Sequence, residues 1–409
     1  MTLTRNIAIA GAGIGGLAAA TLLARDGHTV TVYDQFEKPQ PVGCGLILQE
    51  TGLAVLGAMG LRETAETLGA PLRRLHGVSI GSGRTVLDVQ YAALRDTLCG
   101  VAIQRPVLFD LVFKAASDAG VKLVPDTRII TANAQGGILT TGSGQTLGPF
   151  DLVIDALGVR SPLSLRPGTS LDYGALWATL PWPEGDVFDG EALAQRYRHA
   201  RQMAGVMPSG RSAESSARTL TYFWSIRADE YAAWKQAPLS DWKQEAVALW
   251  PETKGLLSGI TRHDHLTFAR YDHRTHQPAA FARLVHLGDS WHATSPQLGQ
   301  GANMALLDAY ALAHALRQHD ELDRQLRHYV NMRSGHVRLF QAMSWMFTPV
   351  YQSDSVILAW LRDWLAAPLS RVPPAPKILA ALVSGAIGSP LRKTGLAPAD
   401  HVRESDVSR

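Results

Sequence analysis

Ile7-Ala8-Ile9-Ala10-Gly11-Ala12-Gly13-Ile14-Gly15-Gly16, then a helical run from Leu17 to Arg25, then Val30-Thr31-Val32-Tyr33-Asp34, is the stretch that decides the fold. A short apolar strand runs into a glycine-rich turn, the turn opens a helix, Gly27 ends it, and a second apolar strand stops at an acid. Gly11 permits the tight turn, Gly13 lets the backbone approach a pyrophosphate, and Gly16 lets the helix pack close to the strand. The helix N-terminus offers free N–H groups and a partial positive charge to phosphates. Asp34 stands at roughly the 20-residue spacing of an acid that accepts from ribose hydroxyls. The pattern predicts a dinucleotide site that includes Gly11, Ala12, Gly13, Ile14, Gly15, Gly16, Asp34 and Gln35. It does not say which dinucleotide.

Outward from this motif, 409 residues suffice for two intimately joined domains. Hydrophobic residues make up nearly half of the chain and charged ones under a fifth, which suits a well-buried enzyme rather than a disordered chain. A net charge of +3 with no Lys/Arg run argues against nucleic acid as a partner. Two cysteines, Cys44 and Cys99, support neither a disulfide framework nor a zinc site, which fits a reducing, cytoplasmic setting. The apolar start carries no cleavage pattern, and no long uncharged apolar run predicts a membrane span.

Further along, Gly43-Cys44-Gly45-Leu46-Ile47-Leu48-Gln49 reads as part of a Pro/Gly-rich loop, and residues Val78 to Val89 read as a hairpin around Gly81-Ser82-Gly83. Arg105 opens a helix that presents Val107, Leu108, Leu111, Val112 and Ala115 on one face. From about Ser170 to Arg283 strand-like runs and tryptophans dominate, which predicts an antiparallel sheet. The last hundred residues read as helical.

Arg283-Leu284-Val285-His286-Leu287 returns as a short strand, and Gly288-Asp289-Ser290-Trp291-His292-Ala293-Thr294-Ser295-Pro296-Gln297-Leu298-Gly299-Gln300-Gly301-Ala302-Asn303 follows it. Asp289 at a strand end can accept from a polyol. Gly299-Gln300-Gly301 can bring bare N–H groups to a ligand at a helix start, and Asn303 is expected to cap that helix.

This second stretch resembles the pattern G-D-x-x-H-x-x-x-P-x-x-G-x-G-x-N of the FAD-dependent monooxygenases of the aromatic hydroxylase type, the group A flavoprotein hydroxylases. The resemblance extends over nearly the whole chain. Gly43 to Gln49 looks like the family's loop beside the flavin, Arg105 like its FAD-contacting arginine, and Trp250-Pro251 like its usual helix ending. It implies an α/β protein: a Rossmann-like FAD-binding domain, an inserted antiparallel β-sheet substrate domain and a C-terminal helical region. The expected divisions are 1–74, 101–169 and 283–340 for the FAD-binding domain, 75–100 and 170–282 for the substrate domain, 341–397 for the C-terminal helices and 398–409 for a flexible tail. The implied FAD ligands beyond the opening motif are Gln49, Arg105, Asp289, Pro296, Gly299, Gly301, Ala302 and Asn303.

By the same resemblance, NADH or NADPH reduces FAD, and reduced flavin captures O2 as a C4a-hydroperoxide that hydroxylates an aromatic or polycyclic small molecule. The alternatives are an FAD-dependent reductase or halogenase-type enzyme, or a catalytically impaired FAD-binding protein. Trp177, Tyr222, Phe223 and Trp224 are candidates to line the substrate site, with core packing as the other reading for each, and His292 is a candidate proton-transfer residue whose other reading is to orient the loop. A monomer or homodimer is expected. Trp345, Phe347, Trp360 and Trp364 are expected to pack on the first domain rather than touch a membrane surface. The chain departs from the family at its DG motif: Asp155 stands where the family has glycine and Leu157 where it has aspartate. Either Asp155 substitutes for the lost carboxylate, or the position matters little for FAD.

Overall fold

The computed structural model describes residues 3–38, 43–165, 168–212 and 215–397. The tail expected at 398–409 and the segment 39–42 of the Pro/Gly loop lie outside the described residues.

The opening stretch builds the middle of a six-stranded sheet, ordered Ala280–Phe281, Leu284–His286, Leu152–Asp155, Asn6–Ala10, Thr29–Tyr33, Lys122–Val124. All neighbours in it run parallel except the edge pair Ala280–Phe281 with Leu284–His286. These strands read as uninterrupted apolar runs because both faces are covered. The helix Ile14–Arg25 is buried on nearly every side from Ile14 to Leu23, since it lies between the sheet and the helices Arg105–Asp118 and Gly301–Gln318. The register sets Ala10 beside both Tyr33 and Asp155, and Asp155 beside His286. The carboxyl ends of four strands therefore open at one level, where α/β sheets bind ligands.

A seven-stranded sheet stands above this edge, ordered Thr267–His273, Thr169–Pro181, Ser215–Arg227, Gln202–Ser212, Ala192–Arg198, Arg74–Ser79, Thr85–Gln90. It corrects the expectation of an antiparallel sheet in one place: Arg74–Ser79 pairs parallel to Ala192–Arg198. The hairpin enters from far upstream, so no tight turn dictates its direction. The strands Ala192–Arg198 and Gln202–Ser212 had no clear signal in the sequence, because Gln, Arg, Gly and Pro interrupt their apolar pattern.

Side-chain alternation gives the sheet two different faces. Leu176, Ala178, Tyr222 and Trp224 pack with Trp242 and Trp250 against the helices Leu239–Leu249 and Lys254–Ser258. Trp177, Met203, Met207 and Phe223 face the other way, toward the parallel sheet and the C-terminal helices.

A 30-residue helix, Leu322–Tyr351, crosses behind the first domain. Short helices follow at Val356–Leu361, Ala367–Leu369, Ala375–Val383 and Pro390–Lys393, with a π-helical turn at Arg362–Ala366. Phe347 is half-buried against the main core, whereas Trp345, Trp360 and Trp364 are exposed, which corrects the expectation that they pack on the first domain. Among the described residues no helix is long and apolar enough to cross a membrane.

Candidate active site

The glycine turn is locked by its own backbone. Gly11 N–H donates to Tyr33 O at 2.8 Å, and φ is +106° there, a conformation that suits glycine. A Cβ at Gly11 would meet Ala156 O at 2.5 Å. Ala12 N–H donates to Asp34 Oδ2 at 2.8 Å and Phe36 N–H to Oδ1 at 3.0 Å. Both carboxylate oxygens are thus fixed yet keep lone pairs for hydroxyl donors. Exposed Gln35 follows it. A Cβ at Gly13 would meet nothing within 4 Å, so the backbone is bare on the side where a diphosphate would lie.

The second glycine stretch builds the facing wall. Gly288 sits at φ +59° and turns the chain from the strand Leu284–His286 into the one-turn helix Asp289–His292. Gly299, at φ +62°, then leads into the helix Gly301–Gln318. The first three N–H groups of that helix point out of its N-terminus. Asp289 is open to the concavity; burial by the surrounding protein pushes its carboxyl up, while the charges of His292 and Arg105 pull the other way.

Asn303 does not cap this helix. It lies inside the helix, fully buried, and accepts from Gln49 N–H at 2.8 Å while donating to Ile47 O at 2.9 Å and Gly299 O at 3.1 Å. It fastens the segment Gly45–Gln49 to the glycine loop; Gly45–Leu48, expected as part of a loop, is a strand paired antiparallel with Gly100–Gln104. Gln49 Oε1 accepts from Tyr91 O–H at 2.9 Å, which leaves Gln49 Nε2 buried without a protein partner; Gln300 Oε1 is left in the same state.

One cavity of about 980 Å³ joins these parts. Of the residues expected at the cofactor, Gly13, Ile14, Gly15, Gly16, Gln49, Arg105, Asp289, Pro296, Gly299, Gly301 and Ala302 line it. Gly11, Ala12, Asp34 and Gln35 lie beyond its end, and Asn303 lies behind its wall. At the sheet end Trp177 and Phe223 pack with ring centroids 4.7 Å apart, and Trp177 Nε1–H donates to Tyr271 Oη at 3.1 Å. Tyr222 and Trp224 do not line the cavity: both sit in the core on the opposite face of the sheet, which corrects their placement at the substrate. A two-residue repeat in a strand puts Phe223 on the cavity side and both its neighbours away from it. Phe223, also expected at the substrate, does line the cavity; Tyr271 escaped the sequence reading because nothing local says which face of a strand is the working one. Cys44 lines the cavity as a free thiol that burial pushes up in pKa, with a hydrogen bond to Thr179 acting against this.

Behind Asp289 lies a buried ionic network. Asp308 accepts from Gly288 N–H at 2.8 Å, Arg333 Nε–H at 2.6 Å and His292 Nε2 at 2.6 Å. Burial disfavours its charge, but His292 and Arg333 outweigh that and hold its carboxyl at about 2. His292 is thereby committed inside the wall, outside the cavity lining, which corrects its candidacy for proton transfer and leaves it as a loop-orienting residue.

The DG-motif departure also resolves. Asp155, fully buried, accepts from Leu157 N–H at 3.0 Å, Ser161 O–H at 2.6 Å and His286 Nδ1 at 2.7 Å. Leu157 packs on the apolar cluster around Phe150 and Leu163. Asp155 therefore pins this turn from inside and presents no carboxylate to a ligand at position 157.

His336, wedged between Arg333 and Gly385 O, is held at about 3 by burial first and then by the Arg333 charge; burial and the His286 and Arg274 charges hold His276 at about 4. Both folded pKa values lie below the ordinary imidazole value. The unfolded chain therefore takes up protons below about pH 6.5 that the folded chain refuses. Stability is full above that pH and is lost as pH falls toward the folded values, with His336 contributing a slope of up to about 1.4 kcal/mol per pH unit. Urea midpoints measured between about pH 7 and 5 should fall with pH, and His336→Gln should flatten the curve.

A family described as an FAD-binding domain matches residues 4–338, and the chain belongs to it. A probable 2-heptyl-3-hydroxy-4(1H)-quinolone synthase, AqdB2 of Rhodococcus erythropolis, is 27% identical over 410 residues, covering 96% of this chain and 97% of that one. An FAD-dependent urate hydroxylase of Klebsiella pneumoniae is 28% identical over 351 residues, covering 81% and 86%. Among solved structures, the tetrameric form of 2-methyl-3-hydroxypyridine-5-carboxylic acid oxygenase aligns with a TM-score of 0.76 at 19% identity, covering 95% and 98%. Klebsiella pneumoniae HpxO complexed with FAD and uric acid aligns with a TM-score of 0.75 at 21% identity, covering 94% and 98%. FAD is the cofactor that this family membership implies, and the open backbone at Gly13 with the orphaned amides of Gln49 and Gln300 fits such a group.

Proposed function

We propose that this chain is an FAD-dependent monooxygenase that uses NADH or NADPH and O2 to hydroxylate a flat heteroaromatic small molecule. The observation that carries the reading is that a single cavity runs from the glycine turn and Asp289 to the aromatic face of the large sheet. The relatives are named for a quinolone, urate and a hydroxypyridine carboxylate, all heteroaromatic.

The bound flavin supplies the redox and oxygen-transfer chemistry. The residues present do the rest. The carboxylates of Asp34 and Asp289 suit the two ends of the cofactor's polyol and ribose chain, and Arg105 brings a positive charge near Asp289. The N-terminus of Gly301–Gln318 places three N–H dipoles toward the middle of the cavity. Trp177 and Phe223 form an apolar wall for a planar ring and keep water from it. Because Trp177 Nε1–H already donates to Tyr271 Oη, the Tyr271 O–H is free to donate to a polar atom on the substrate. Burial pushes that phenol upward, so it stays protonated and acts as a donor.

The test is flavin content followed by anaerobic titration with NADH and NADPH, then labelled O2 with quinolone and hydroxypyridine substrates. Folded protein without flavin, or flavin reduction that never places labelled oxygen in a product, would count against the reading. A narrower expectation concerns Asp289→Ala: flavin retention after gel filtration should drop by ~10-fold or more while the melting temperature of the apoprotein holds, because Asp289 itself accepts no internal hydrogen bond that shapes the fold.

A further inference from the structure

The segment 356–378 carries its polarity inside out. Arg362 and Asp363 are buried and paired at 2.8 Å, with Arg362 also donating to Val350 O and His199 O. The opposite face presents Ile357, Trp360, Leu361, Trp364, Leu365 and Leu369 to solvent, with Ile357 72%, Trp360 57% and Trp364 49% exposed. A helix facing water does the reverse. Contiguous apolar surface of this kind marks an interaction site.

Within the segment the exposed charges have one sign, and the exposed Asp354 just before it is paired with Arg227. Asp363, buried, is the only acid from residue 356 to residue 378. The exposed charged side chains there are Arg371 and Lys377, and exposed Arg84 stacks over Trp364 at 3.7 Å. Tryptophans at the level of a cationic rim, with leucine and isoleucine beside them, match the chemistry of an anionic bilayer surface. A second copy set on this face by a two-fold axis would bring cation against cation. We propose that this face docks onto anionic lipid headgroups and dips its tryptophans into the interface.

Met346, Leu369 and Ile378 belong to the exposed apolar surface and also line the cavity, so docking would set a cavity rim against the lipid. Entry of a lipid-dissolved substrate there rests on the catalytic reading above; the docking itself does not.

Flavin-loaded protein is sedimented with vesicles of phosphatidylcholine alone and with vesicles containing about 30 mol % phosphatidylglycerol. The expected result is ~10-fold or greater enrichment in the anionic pellet, reversed by ~0.5 M salt. The pair Trp360→Ser with Trp364→Ser should abolish pelleting, and the pair Arg371→Glu with Lys377→Glu should abolish the preference for anionic lipid, both with unchanged flavin stoichiometry and melting temperature. Quenching of wild-type tryptophan fluorescence by brominated lipid gives a readout independent of the variants. Wild-type protein that stays in the supernatant with both vesicle types overturns the proposal. So does a concentration-dependent dimer in light scattering that the tryptophan pair dissociates, since a second copy would then cover the face. A protein whose flavin NAD(P)H reduces but which ignores vesicles overturns this proposal alone.

Discussion

Gly16→Ala is expected to leave protein with almost no bound flavin and a lowered melting temperature. A Cβ at this position would overlap the carbonyl oxygen of Gly11 and come within 3.1 Å of Ala156 Cβ. Neither neighbour can yield cheaply. Gly11 is tied to Tyr33 O, and the next residue to the Asp34 carboxylate, so the turn moves only if the first two strands part. Overpacking of this kind costs on the order of 1–3 kcal/mol even where side chains give way. Here backbone must move, and it is the backbone that would cradle the cofactor's diphosphate. The ratio of flavin to protein absorbance should fall by ~10-fold or more. Gly13→Ala is the control: with nothing within 4 Å of its Cβ, it should melt like wild type as apoprotein and lose affinity only for FAD. Equal behaviour of the two variants would contradict the separate roles of the glycines.

Arg333→Met should be the most destabilising side-chain change in the first domain. Arg333 and Asp308 are both fully buried and meet at 2.6 Å. Removing the guanidinium leaves the Asp308 carboxylate in the interior with the His292 ring and Gly288 N–H as its remaining partners. Breaking a buried pair in this way costs roughly 3–5 kcal/mol, because the surviving charge loses its compensation. Urea unfolding followed by far-UV dichroism measures the loss; a shift under about 1 kcal/mol would show that the pair adds little. Since Asp308 also holds Gly288 N–H, beside Asp289, flavin retention should fall with stability.

Some of this was legible in one dimension. The strand–glycine turn–helix–strand–acid order of residues 7–34 encodes local conformation directly, through positive φ, bare backbone and apolar runs. The Gly288–Asp289 stretch was legible for the same reason. Asn303 was not: a helix-start asparagine reads as a cap, and only the docking of the strand Gly45–Leu48 and of Gln49 turns it into a fastener. His292 left both proton transfer and loop orientation open in the sequence, and its bond to the Asp308 held by Arg333 leaves it the second role.

The sequence by itself determined the two glycine turns that close strand ends and open helices, because those turns are properties of a few consecutive residues. Tertiary structure alone decided which aromatic residues face the ligand, where the shifted carboxylate of Asp155 is spent, and that Trp360 and Trp364 stand in solvent while Arg362 is buried. Each of those outcomes depends on which face of a strand or helix meets a partner distant in sequence, and a local pattern fixes the two faces without saying which one is covered.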